Sequence, residues 1–155
     1  MEIKPTAEGM VKSAFNLMSK DLHALPEEAF TKKFGGVSRS VADIIFEVNM
    51  VNDHIGLTIR GEDLFDWPET GWIIAPEGFD TKAVVIQAFE ESSKRILDTI
   101  ARMSEGDIMG TVLSDGEETT RFERFRFIAL HTWYHSGQLN FMQTLMGDSE
   151  FHWAK

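Results

Sequence analysis

Cysteine is absent from the 155 residues, which removes thiol nucleophiles, thiolate zinc sites and disulfides together. Positive charge is scarce. Fifteen Lys and Arg stand against 25 Asp and Glu, a formal net charge of −10 at pH 7. That balance excludes the phosphate-neutralising surface on which non-specific nucleic-acid binding depends, and a polybasic membrane anchor with it. No apolar run approaches the roughly 20 residues that a bilayer-spanning helix needs. The opening Met1-Glu2-Ile3-Lys4-Pro5 has no basic stretch followed by an apolar one, so no secretory signal is expected. These absences leave a soluble cytoplasmic protein that binds neither nucleic acid nor membrane.

What is present is ordinary globular composition, 43% hydrophobic and 26% charged. The length predicts one domain over residues 1–155. Such a chain buries roughly 68–70% of its unfolded surface, enough to fold without a disulfide or structural metal.

Four segments carry helical periodicity. The first runs from about Ala7 to Leu25 with Thr6 as N-cap, on a stripe of Ala7, Met10, Val11, Ala14, Leu17, Met18 and Leu22. Pro26 then opens an acidic turn, and Gly35-Gly36 breaks the chain. The second helix is expected from about Ser40 to Arg60, ending at Gly61. The third is expected from about Thr81 to Ser104, with Asp80 as N-cap, Gly106 beyond its end and Val84, Val85, Phe89 and Ile96 on its apolar face. The fourth starts at Thr120-Arg121-Phe122-Glu123, a capping-box pattern, and nothing interrupts it before Gly147. That gives about 26 residues and roughly 39 Å of helix. Ile108–Leu113 followed by Ser114-Asp115-Gly116 predicts a small hairpin. The fold class is all-α, a four-helix bundle, with a long link from Gly61 to Asp80 between the second and third helices.

With cysteine missing, a metal could be held only by His, Asp or Glu. Among His23, His54, His131, His135 and His152 one spacing is informative: His131 and His135 are four apart on the fourth helix, one above the other. Both imidazoles can then reach one ion. His135 falls within the apolar stripe and His131 borders it, so both are costly there unless paired, hydrogen-bonded or metal-bound. Hydrogen bonds to neighbouring side chains would satisfy them equally. Ser136 points about 100° away from His135, which argues against a Ser/His dyad. No Gly-rich phosphate loop, nucleophile elbow or Rossmann fingerprint appears.

The block His131-Thr132-Trp133-Tyr134-His135-Ser136-Gly137-Gln138 resembles the final-helix HxxxHxGQ motif of the DinB/YfiT-like superfamily of metalloenzymes. Leu25-Pro26-Glu27-Glu28-Ala29-Phe30 with Gly35-Gly36 is similar to that family's first connection. Ser40-Val41-Ala42-Asp43-Ile44-Ile45 is similar to its second-helix start, and Arg60-Gly61-Glu62 to that helix's end. The resemblance implies an up-down-down-up bundle binding a divalent metal through three histidines, two of them matching His131 and His135. The third family position, after Phe46, holds Glu47 here.

Three roles stand open for Glu47. It could be the third ligand of a two-His, one-carboxylate set suited to zinc, nickel or iron(II). It could replace the metal by pairing with a protonated His131 or His135. Or it could flank the stripe and reach water. His54, seven residues on, could substitute as ligand only in a shifted register; otherwise it is a pocket histidine or sits near the favourable C-terminal dipole.

Gln138 could support a ligand. Phe65, Trp67, Trp72 and Phe79 in the link cover the core or form a substrate lid or dimer contact, and Phe151 and Trp153 raise the same choice. His23 and His152 are expected at the surface. The family resemblance implies a metal-dependent enzyme, a thiol transferase or hydrolase working on a small molecule, and a homodimer. Without cysteine, any thiol must come from a small-molecule cosubstrate. The rival expectation is a non-catalytic dimeric binding or stress-related bundle whose metal site has degenerated through Glu47.

Overall fold

The computed structural model describes residues 2–68 and 71–154; Glu69 and Thr70 of the link, with Met1 and Lys155, lie outside the described residues. The elements are α1 (Ile3–Ala24), a 3-10 turn (Glu27–Phe30), α2 (Val41–Arg60), α3 (Lys82–Arg102), α4 (Glu105–Met109), β1 (Thr111–Ser114), β2 (Glu117–Thr120), α5 (Arg121–Leu145) and a final 3-10 turn (His152–Ala154). The four long helices, α1, α2, α3 and α5, form the bundle.

Polar contacts between them give their directions. At one end of α1, Lys4 Nζ donates to the carbonyls of Ala101 and Met103; at the other, Lys82 Nζ donates to those of His23 and Leu25. So α1 and α3 are antiparallel. Asn52 meets Ser92, Asp53 meets Arg95, and Arg60 meets Thr99, so α2 and α3 run parallel. Arg121 Nε donates to the Ile59 carbonyl, which starts α5 where α2 ends. The result is the expected up-down-down-up bundle.

Parallel α2 and α3 require a return over the 20 residues of α2, about 30 Å at 1.5 Å per residue. The link makes it by docking on the way. His54 meets the ring edges of Phe65 and Trp67, Ile73 is buried, the Ala75 amide donates to Asp43, and Phe79 sits edge-on to Phe46 at 5.3 Å. The core fills the bundle axis with Phe30, Phe89, Phe125, Met18, Leu22, Ile45, Ile96 and Ile128, all but excluded from solvent. Burial of each such side chain contributes about 1.5–3 kcal/mol. No helix among the described residues is long and apolar enough to cross a membrane.

Three helix starts differ from expectation. Thr6 lies inside α1, its hydroxyl donating to the Glu2 carbonyl, while Glu105 from across the bundle accepts from the Ile3 and Lys4 amides. Pro5 is tolerated because the first turn needs no donor there. Thr81, not Asp80, caps α3, its hydroxyl accepting from the Val84 amide. That helix stops at Arg102 because Ser104 and Asp107 form a capping box of their own, starting α4 with Gly106 inside it. Val84 is exposed rather than on the core face of α3.

The hairpin forms, but its first strand is Thr111–Ser114 rather than Ile108–Leu113, because Ile108 and Met109 belong to α4; Asp115 and Gly116, both at positive φ (53° and 83°), make the two-residue turn. Thr120 caps α5 by accepting from the Glu123 amide, but only half of the expected box is present. The Glu123 carboxylate turns outward to Arg126 instead.

Candidate metal centre

Antiparallel packing sets the second turn of α2 level with the middle of α5. Ser40 and Asp43 cap α2 reciprocally and fix where its turns fall, so that Glu47 faces α5. The four-residue spacing of His131 and His135 stacks their rings on the facing side, 4.4 Å between centroids. Glu47 Oε1 lies 3.6 Å from His131 Nε2 and 3.4 Å from His135 Nε2, and the two Nε2 atoms are 3.1 Å apart. His135 is 1% exposed, His131 13% and Glu47 15%.

The protons are accounted for by the neighbours. Gln138 Nε2 donates to the Tyr134 hydroxyl, which leaves its Oε1, 2.8 Å from His135 Nδ1, to accept. Nδ1 of His135 therefore carries the proton and its Nε2 presents a lone pair. Two ring nitrogens and a carboxylate oxygen converge with at most one proton among them, and His131 Nδ1 is buried with no partner in either tautomer. Burial pushes the His131 pKa down to about 4, His135 beside it adding to the effect and Glu47 opposing it. Burial also lowers the His135 pKa, against the raising influence of Gln138 and Glu47. Both rings are neutral at pH 7, the form that ligates metal.

The cation paired with Glu47 is Arg39, not a protonated histidine. Its guanidinium donates to Glu47 Oε2, leaving Oε1 to the imidazoles, and is stacked 4.6 Å from the Trp72 ring centroid of the link. Sequence reasoning missed Arg39. It precedes the cap of α2, and no spacing rule ties a loop residue to a helical one eight positions on.

The donor set fits a metal ion. Ligand atoms about 2.0–2.2 Å from one ion at tetrahedral or square angles lie roughly 2.8–3.6 Å apart, and the observed separations are 3.1, 3.4 and 3.6 Å. Among the described residues Glu47, His131 and His135 are a group that could hold such an ion. His54 is not part of it. Ser136 turns away and donates to Asp21 on α1, so no Ser/His pair forms. His23 is exposed as expected, whereas His152 is half-buried and bonded to Asp148 at 2.9 Å.

A cavity of about 520 Å³ adjoins the centre, walled by Phe34, Arg39, Trp72, Gln138, Phe141 and Leu145.

The model of the DinB superfamily matches residues 12–139. A solved structure of a conserved protein from Enterococcus faecalis aligns over 96% of this chain and 99% of its own, with a TM-score of 0.73 at 12% identity. At that identity the likeness speaks for the fold alone. No curated protein matches the chain.

Proposed function

The chain belongs to the DinB superfamily, and from that premise we propose that it is a metal-dependent enzyme whose divalent ion is held by Glu47, His131 and His135. The observation that carries this reading is the convergence of three donor atoms, all within 4.8 Å of one another, in a partly buried cluster. Two imidazoles and a carboxylate suit zinc, nickel or iron(II). Such an ion would supply Lewis acidity, lowering the pKa of a water or thiol bound to it towards neutrality.

The chain's own residues then have definite tasks. Gln138 fixes the His135 tautomer, Arg39 holds one carboxylate oxygen so that the other faces the imidazoles, and Phe127, parallel to His131 with centroids 5.9 Å apart, shields it from water. The 520 Å³ cavity beside Gln138 and Arg39 gives room for a low-molecular-weight thiol, which the cysteine-free chain cannot itself supply. Thiol transfer or hydrolysis of a small molecule is the reaction class. A homodimer in the cytoplasm belongs to the same reading. Phe127, Leu130, Tyr134, Phe141 and Leu145 expose an apolar stripe along α5 that a second copy would cover.

One observation favours a second reading. Glu47 already has a buried cation in Arg39, as it would in a non-catalytic dimeric binding or stress-related bundle whose metal site has degenerated. Metal analysis separates the two. Protein purified without a His-tag and reconstituted with zinc, nickel or iron(II) should hold near-stoichiometric metal, lost in His135→Ala and Glu47→Gln. A parent protein that retains none of the three sinks the metal reading.

A further inference from the structure

On the far side of His131 from Gln138 a second cavity, about 360 Å³, opens between α2, α5 and the hairpin. Val51, one turn beyond Glu47, and Phe127, one turn before His131, form the wall nearest the metal centre; His54, Trp67, Asp115 and Arg124 complete it. The cavity therefore starts about one helical pitch, roughly 5.4 Å, from the candidate centre along both helices.

Its polar groups are unusually placed for so acidic a chain. Among the described residues Arg124 forms no ion pair. Its Nη1 donates to the Ser114 hydroxyl, its guanidinium lies 5.6 Å from the Phe127 ring centroid, and its Nε is buried without a partner. Arg95, Arg60 and Arg126, by contrast, each hold a carboxylate. His54 Nδ1, in the same wall, is also buried and unpartnered, its ring wedged against the edges of Phe65 and Trp67. A buried polar atom left unmatched costs about 1–3 kcal/mol, and two border this cavity: Arg124 Nε is a donor, and His54 Nδ1 becomes a second one when it carries the ring proton. The Nε–Nη2 edge of a guanidinium takes a carboxylate in a bidentate fork, and no hydrogen bond from the described residues occupies that edge of Arg124. Asp115 on the rim disfavours a dianion, and Trp67, Phe127, Val51 and Ile55 favour a flat apolar body.

We propose that this cavity binds a small molecule bearing one carboxylate on an aromatic or similarly flat apolar body, with the carboxylate on Arg124 and His54 and the body against Trp67 and Phe127. That this ligand is the substrate, its far end directed at Glu47, His131 and His135, rests on the metal-enzyme reading; the binding itself does not.

Metal-free protein is titrated calorimetrically with 3-phenylpropanoate and indole-3-acetate, and with 3-phenylpropanol as the uncharged control. Both carboxylates should bind at least tenfold more tightly than the alcohol. Arg124→Met should remove that preference with circular dichroism unchanged, Arg124→Lys should retain part of it, and Asp115→Asn should tighten carboxylate binding severalfold. Equal affinity for acid and alcohol, unchanged binding in Arg124→Met, or no carboxylate binding up to about 20 mM overturns the proposal. If Arg124→Met does not fold, Arg124→Lys with His54→Phe decides on the same criterion. Carboxylate binding without any metal binding upholds the cavity and defeats only the metal-enzyme reading. Metal binding without carboxylate binding does the reverse.

Discussion

Two buried carboxylates meet α5 at successive residues, and they are opposites. Glu47 on α2 faces His135, while Asp21 on α1 faces Ser136, the two α5 positions pointing about 100° apart. Around Asp21 every neighbour is a donor. The Ser136 hydroxyl reaches Oδ2 and the Trp153 indole N–H reaches Oδ1 at 2.7 Å. Lys20 Nζ donates to the Trp153 carbonyl, so the carboxylate and its neighbours pin the C-terminal turn to the bundle. Around Glu47 Oε1 the neighbours are two ring nitrogens with at most one proton between them. A buried carboxylate matched by donors is a structural fastening; one crowded by other acceptors is a place for a cation.

The comparison breaks most decisively at the metal. Glu47→Gln, which keeps volume and loses charge, should weaken zinc binding by at least 100-fold, about 2.7 kcal/mol, in a calorimetric titration. Asp21→Asn should leave it unchanged. If Glu47→Gln binds zinc like the parent, the carboxylate is not a ligand.

Stability should answer in the opposite sense. Asp21→Ala leaves the Ser136 hydroxyl and the Trp153 N–H unmatched and should cost about 2–4 kcal/mol in urea unfolding. A loss below about 0.5 kcal/mol would show the fastening to be ornamental.

A smaller effect concerns support rather than ligation. Gln138→Leu releases the His135 Nδ1 proton from its acceptor and should lower zinc affinity roughly tenfold, the lower end of what such outer partners contribute, with little change in unfolding midpoint. No change in affinity would mean that packing alone orients His135.

The subtlest contrast is with pH. In metal-free protein the folded His131 pKa is near 4, below its ordinary 6.5. The unfolded chain then takes up the proton first, and stability falls as pH drops from about 6.5 towards 4. Burial holds the Asp21 carboxyl above its ordinary 3.8, against the hydrogen bonds of Ser136 and Trp153. Its folded form gains the proton first, so its contribution improves on acidification. Urea curves from pH 7 to 4 should show a shallower loss in His131→Phe than in the parent and a steeper one in Asp21→Asn.

Local signals in the sequence carried the reading a long way. Ser40 at the start of the second helix, Gly61 at its end, Asp115-Gly116 between short strands and Thr120 before α5 each act over a few residues, and each lies where expected. Periodicity carries the third helix two residues past its end at Arg102, because the apolar period continues into the box at Ser104 and Asp107. The His131–His135 pair was legible from spacing, and Glu47 from motif order. Arg39, Trp72 and the Asp21–Trp153 bond were not. Each depends on a single side chain meeting a partner placed by the fold, 132 residues away for Asp21 and Trp153, and pattern reading has no handle on such encounters.

Thr120 is both the last residue of the hairpin, opposite Thr111, and the cap of α5. The hairpin thereby sets the angular phase of the longest helix. One residue inserted between Thr120 and Arg121 would advance that phase by about 100°, turning both imidazoles away from Glu47 while leaving all three residues in the sequence. The two-residue turn at Asp115 and Gly116, upstream of both imidazoles, thus acts as the index mark by which the three side chains are aligned.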